Sequence, residues 1–291
     1  MEDITEHVVD LIKSTSTDLS PDVEKALADA RGEEEEGSAA QGAILTILNN
    51  VSLSRETGRP ICQDTGTPIF HVWYPVGLSQ LALRRQVQAA VRIATERIYL
   101  RPNAVEALSG KNSGDNIGED FPTIHFDEWE EDYLKITLML KGGGCENVGA
   151  QYAIPSPEFP ATRDLQGVRK AVLDAAHKAQ GLGCSPGIFG VAVGGDRVSS
   201  MMKAKEQLLR PLTDDNEDPE LDQMEKQLHR EINELGIGPM GFGGMTTSLG
   251  VKMAQLHRVP ASFFVSIAYM CWADRRKIMT IKDGKVSIDA P

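Results

Sequence analysis

Apolar residues along the first third of the chain recur at helical spacing. Ile4, Val8, Leu11 and Ile12 fall on one face of a first helix, and Ser20-Pro21 starts a second one through Val23 and Leu27. The acidic run Glu33 to Glu36 breaks the pattern and predicts a solvated connection. A third helix over 38–54 carries Ile44, Ile47, Leu48 and Val51, and Thr57-Gly58-Arg59-Pro60 stops it. The spacing then changes. Ile69 to Tyr74 predicts a strand, Leu81 to Tyr99 a long amphipathic helix broken at Pro102, and Ser109 to Asp120 a polar loop.

Strand signals return at Ile124-His125-Phe126 and at Tyr133 to Leu140, where Leu134, Ile136 and Leu138 alternate with other residues. Leu165 to Gln180 predicts a helix, Ile188 to Val193 a strand, and Asp196 the cap of the next helix. Thr213 to Glu220 predicts a charged linker, Leu221 to Leu235 a helix, Gly236 to Gly244 a glycine-rich turn region, and Ala261 to Met270 a strand. The expectation is an α+β (mixed) fold in one domain spanning 1–291. A helical amino-terminal layer (1–58) would pack on a mixed sheet part (59–291).

Composition narrows the class. With 41% apolar residues among 291, the chain can bury one large core or two smaller ones. A formal charge of −12 argues against nucleic acid or an anionic membrane as the main partner. It leaves room for a small anionic substrate held by a few placed arginines. The acidic, amphipathic Met1 to Lys13 carries no secretory pattern, and the apolar run Ala261 to Met270 is too short to span a bilayer. Four cysteines in so long a chain make no disulfide scaffold, so the reading is a cytoplasmic protein with reduced thiols.

Each cysteine lies beside a turn or a strand end. Cys62 opens Cys62-Gln63-Asp64-Thr65-Gly66, Cys145 follows Gly142 to Gly144, Cys184 lies in Gly181-Leu182-Gly183-Cys184-Ser185-Pro186-Gly187, and Cys271 precedes Trp272-Ala273-Asp274. They stand tens of residues apart, so the local pairs typical of ferredoxins and structural zinc are absent. Spacing alone leaves two readings open: a metal centre assembled by the fold, or four buried thiols. The glycines and prolines beside the cysteines favour the first, since they let the backbone approach a bulky inorganic group.

Three segments then become specific. Ile61-Cys62-Gln63-Asp64-Thr65-Gly66-Thr67, Lys141-Gly142-Gly143-Gly144-Cys145-Glu146-Asn147 and Gly236-Ile237-Gly238-Pro239 resemble the iron–sulfur hydro-lyase family of class I fumarate hydratases and L-tartrate dehydratase α subunits. The resemblance implies a 4Fe-4S cluster on three cysteines with one iron open to substrate. Matched residue by residue, the ligands are Cys62, Cys184 and Cys271, and Cys145 lines the site. The resemblance gives Gln63 and Arg101 to substrate carboxylates, Asp64 to proton transfer, and Gly144 to an amide or clearance at the site. The alternative for Asp64 is an Asx turn onto Gly66.

A histidine common in the family is Val259 here, with His257 and Arg258 nearby. The implied activity is reversible hydration of fumarate to L-malate, completed by a β subunit in an α2β2 assembly. Tartrate or another dicarboxylate is the alternative substrate, and a non-catalytic cluster-binding subunit is the alternative of another class.

Overall fold

In the computed structural model, which describes residues 3–291, the chain begins with α1 (Thr5–Thr17), α2 (Pro21–Glu33) and α3 (Ala39–Thr57). There follow β1 (Thr67–Pro75), α4 (Gln80–Glu96), β2 (Thr123–Trp129), β3 (Leu134–Lys141), α5 (Gly143–Asn147) and β4 (Ala150–Ala153). The later part holds α6 (Leu165–Ala179), β5 (Gly187–Val193), α7 (Arg197–Gln207), α8 (Pro219–Asn233), β6 (Ser248–Gln255), β7 (Phe264–Met270), β8 (Arg275–Lys282) and β9 (Lys285–Asp289). The fold is α+β, as the pattern of periodicities indicates.

Its contacts divide into two compact units. The first comprises the described chain through Pro21, with Asn49–Gly143 and Ala273–Pro291; the second comprises Asp22–Leu48 and Gly144–Trp272. The helices of residues 1–58 are therefore shared: α1 falls in the first unit, α2 in the second, and α3 passes from one to the other.

The first unit is built on a five-stranded sheet in the order β2-β1-β3-β8-β9. β1 runs parallel to β2 and antiparallel to β3, and β3 runs antiparallel to β8. The apolar face of α1 (Val8, Leu11, Ile12) and that of α4 (Leu83, Val87, Val91) share one core with Phe70, Val72, Ile136, Leu138 and Met279 of the sheet. Each such large aliphatic side chain contributes about 1.5–3 kcal/mol on full burial. Ser79 caps α4 by accepting the Ala82 amide, and α4 ends at Glu96, earlier than its periodicity suggests. The Arg97 amide closes the last turn, and Ile98 turns the chain in the left-handed region at φ 65°.

The second unit has a four-stranded sheet in the order β4-β7-β5-β6, with α7 on β5 and β7 and α8 on β6. Asp196 and Ser199 form the reciprocal cap of α7, while Asp218 and Pro219 start α8 slightly before the predicted point.

Four strands, β4, β6, β8 and β9, carry no clear strand signal in the sequence. β6 includes buried Lys252, whose Nζ donates to the Asp214 carbonyl at 2.8 Å and is ion-paired with the Asp214 carboxylate. β8 opens with two buried arginines. Charged residues there mimic a loop, and only their partners reveal a strand.

The acidic run also departs from expectation. Glu33, Glu35 and Glu36 are exposed, but Glu34 is buried. Its Oε1 accepts the Thr246 amide at 2.8 Å, and its Oε2 accepts the Met245 amide at 2.9 Å. A carboxylate bonded to two backbone amides ties α2 to the glycine-rich loop within the second unit. Glu34→Ala strands these donors and is expected to lower unfolding stability by about 1–3 kcal/mol. Urea denaturation checks this, and a change within experimental scatter would refute it.

Candidate metal centre

The Cys62 loop is anchored by the residue before it. Buried Ile61 donates its amide to the Ser16 carbonyl at 2.9 Å, and its own carbonyl accepts Asn50 Nδ2 at 2.8 Å. Cys62 is half-buried and Gln63 exposed. Asp64 then uses both carboxylate oxygens: Oδ1 accepts the Gly66 amide at 2.9 Å and Oδ2 the Gly143 amide at 2.8 Å. The first bond is the Asx turn, and the second ties this loop to the end of β3. Gly66 has φ +77°, and a side chain there would meet the Lys141 backbone at about 2.7 Å, so only glycine fits.

Arg101 is held against the same loop. Its amide donates to the hydroxyl of buried Thr65 at 3.0 Å, and its Nη1 donates to the Gln63 carbonyl at 3.2 Å. The guanidinium is otherwise exposed. Behind it stands Asn116, 1% exposed, whose Oδ1 accepts the amides of Asn103 and Ala104 at 2.6 and 3.1 Å. Its Nδ2 donates to the Arg101 carbonyl at 2.7 Å. Sequence reasoning left Asn116 and Thr65 unassigned. The available signal was an Asn in a Gly-Asp-Asn turn, here at φ 60°.

Cys145, Cys184 and Cys271 all belong to the second unit. Cys184 adopts φ +57°, its amide donates to the Gly181 carbonyl at 3.1 Å, and its carbonyl accepts the Trp272 amide at 3.3 Å. That last bond couples the Cys184 turn to the residue after Cys271. Tyr269 packs beneath both: a Cβ on Gly183 would lie about 2.5 Å from its ring, and one on Gly187 would also collide with it. Burial, and then the neighbouring cysteines Cys271, Cys145 and Cys184, push the Tyr269 phenol well above its ordinary range. Cys145 is 2% exposed, with its Sγ 4.0 Å from Met270 Sδ, whereas Cys184 and Cys271 are half-buried.

Gly144 lies exposed in the short α5, and a Cβ there would meet only the Leu182 carbonyl, at 3.8 Å. His257 is exposed. Arg258 Nη1 donates to the carbonyls of Val259, Pro260 and Ser262 in its own loop.

Among the described residues, no group of three or more His, Cys, Asp or Glu side chains is placed to hold a single metal ion. An iron–sulfur cluster asks for something different. It needs thiols on loops where the backbone comes close: Cys62, Cys184 and Cys271 are each half-buried outside regular elements, and Cys184 directly follows Gly183. No helix of the described residues is long and apolar enough to cross a membrane.

Comparison with known proteins adds an independent line. The model of the Fumarate hydratase (Fumerase) family matches residues 5–280. A putative fumarate hydratase class I of Geobacillus stearothermophilus is 48% identical over 95% of this chain, which spans 54% of that longer relative. A putative L(+)-tartrate dehydratase subunit alpha of Methanocaldococcus jannaschii is 34% identical over 97% of this chain and 99% of its own length. The L(+)-tartrate dehydratase subunit alpha of Escherichia coli K12 is 29% identical, covering 96% of this chain and 90% of its own.

Proposed function

Since the chain belongs to the fumarate hydratase family, we propose that it is the α subunit of a 4Fe-4S-dependent hydro-lyase that interconverts fumarate and L-malate. A separate β subunit completes the site in an α2β2 assembly, in a reducing cytoplasm. The observation that carries this reading is the docking of Arg101 onto the Cys62-Gln63-Asp64 loop. It sets a bidentate carboxylate binder beside a candidate ligand cysteine.

Cys62, Cys184 and Cys271 would hold the cluster, and Cys145, a buried thiol packed on Met270, would line the site. When bound, the cluster supplies an open iron that acts as a Lewis acid toward the substrate hydroxyl and one carboxylate. Arg101, braced by Thr65 and Asn116, grips the other carboxylate, and the exposed Gln63 amide donates to it. Asp64 removes the proton from carbon during dehydration and returns it during hydration. Its two amide bonds fix the carboxylate, which retains a lone pair on each oxygen for the transfer. Gly144 leaves clearance for the substrate.

A second reading, dehydration of L-tartrate, is favoured by the end-to-end correspondence with the α-subunit relative. The higher identity to the class I fumarate hydratase relative supports fumarate. The test is anaerobic reconstitution with the β subunit, iron and sulfide, followed by rates on fumarate, L-malate and L-tartrate. The expected result is fumarate hydration with kcat/KM at least about tenfold above that for tartrate, a discrimination of about 1.4 kcal/mol. The reverse preference selects the second reading. A loaded complex inactive on all three would end the enzyme reading.

A further inference from the structure

Arg275 opens β8 and is only 1% exposed. Its Nε and Nη1 are buried and meet no hydrogen-bond acceptor among the described residues. A guanidinium remains protonated at physiological pH, so burial cannot neutralise it as it would a lysine or histidine. The carboxylate nearest in sequence, Asp274, is engaged elsewhere: its Oδ2 lies 2.8 Å from Arg276 Nη1, in a fully buried pair. An uncompensated buried cation is among the costliest arrangements a core can hold. It therefore calls for an anion.

The register of the first unit's sheet locates this cation. β8 begins with Arg275 opposite Leu140, β3 ends with Lys141 opposite Thr67, and β1 begins at Thr67. The loop carrying Cys62 enters the sheet at this same end, where Lys141 is also buried. In sequence, Arg275 follows Cys271 by four residues. Arg275 is thus a buried cation at the sheet end where one candidate ligand enters, four residues after another in sequence.

We propose that Arg275 is an anion-binding residue of the metal centre, donating its N–H groups to thiolate or sulfide sulfur of the bound cluster. This rests on the cluster reading above. Its burial sets it apart from Arg101: a substrate carboxylate arriving from solvent can reach an exposed guanidinium, whereas Arg275 suits an anion installed once, with the cofactor. Hydrogen bonds to sulfur and local net charge tune cluster potentials, and loss of a group supporting a metal centre commonly costs 10–100-fold.

The test compares the wild-type full chain with Arg275→Met and Arg275→Lys, each reconstituted anaerobically with its partner. A wild type that takes up no iron or sulfide refutes the cluster reading itself, whatever Arg275 does. With the wild type loaded, Arg275→Met is expected to release iron to a chelator about tenfold faster or more. Its reduction potential should move to more negative values, because the lost cation favoured the reduced cluster. Arg275→Lys should fall between the two.

In the cluster-free chain, Arg275→Met should unfold at a higher temperature than wild type, since an unmatched buried charge has been removed. If Arg275→Met takes up no cluster yet unfolds in this way, that loss supports the proposal. A fully loaded Arg275→Met with unchanged potential and iron release would overturn it. So would a lower unfolding temperature without cluster, which marks a structural role. A raised KM for fumarate with unchanged potential would likewise overturn it, by assigning the residue to substrate.

Discussion

Asp64→Asn in the reconstituted complex is expected to lower kcat by about 10²–10⁴, the range lost with a positioned proton-transfer group, while iron content stays at the wild-type level. The structure makes this substitution informative because both oxygens of Asp64 are engaged. Asparagine can keep the bond to the Gly66 amide through its oxygen. Its Nδ2 then faces the Gly143 amide, donor against donor, and that contact is lost. If Asp64 serves only as the turn residue, the variant should have a less stable loop and a weakened cluster, with kcat per bound cluster changed less than tenfold. Iron analysis beside steady-state kinetics separates the two roles.

The cysteines carry the other large effect. Cys62→Ser, Cys184→Ser and Cys271→Ser are each expected to abolish cluster retention and reduce activity by more than about 100-fold, beyond what losing a merely supporting group costs. Cys145→Ser should keep the cluster. It exchanges one small side chain for another at a site packed against Met270, so its effect is mainly on packing. The readout is iron and sulfide per chain after anaerobic purification. Retention in Cys271→Ser together with loss in Cys145→Ser would reverse the ligand assignment, a real contest because both thiols lie near Tyr269.

Much of the fold is legible in the chain. The amphipathic stripes of α1 and α4 are the residues that share a core with β1 and β3, because a one-sided apolar pattern has one way to leave water. Asp196 marks a real helix start, since capping is a local interaction that needs no distant partner, whereas Asp218, read as part of the charged linker, caps α8. Strands β6 and β8 were hidden for the opposite reason. Lys252, Arg275 and Arg276 read as exposed charges until pairing and burial are known. Glu34 misled in the same way: in an acidic run nothing local distinguishes the glutamate that meets two distant amides from its solvated neighbours.

The candidate site divides along the same line. Cys62-Gln63-Asp64-Thr65-Gly66 could be singled out from its residues, because the turn that presents the cysteine is encoded within five positions. The reason for the bracing of Arg101 could not, since Thr65 and Asn116 act through hydrogen bonds to backbone far along the chain. Determined by the sequence alone were the residue types, the local turns, the helical stripes and the family likeness, all properties of neighbouring positions. The tertiary structure decided that Asp64 spends both oxygens on amides, that Glu34 is buried, and that Arg275 is a buried cation short of acceptors. Burial and hydrogen-bond partnership belong to pairs of distant groups, and folding brings such pairs together.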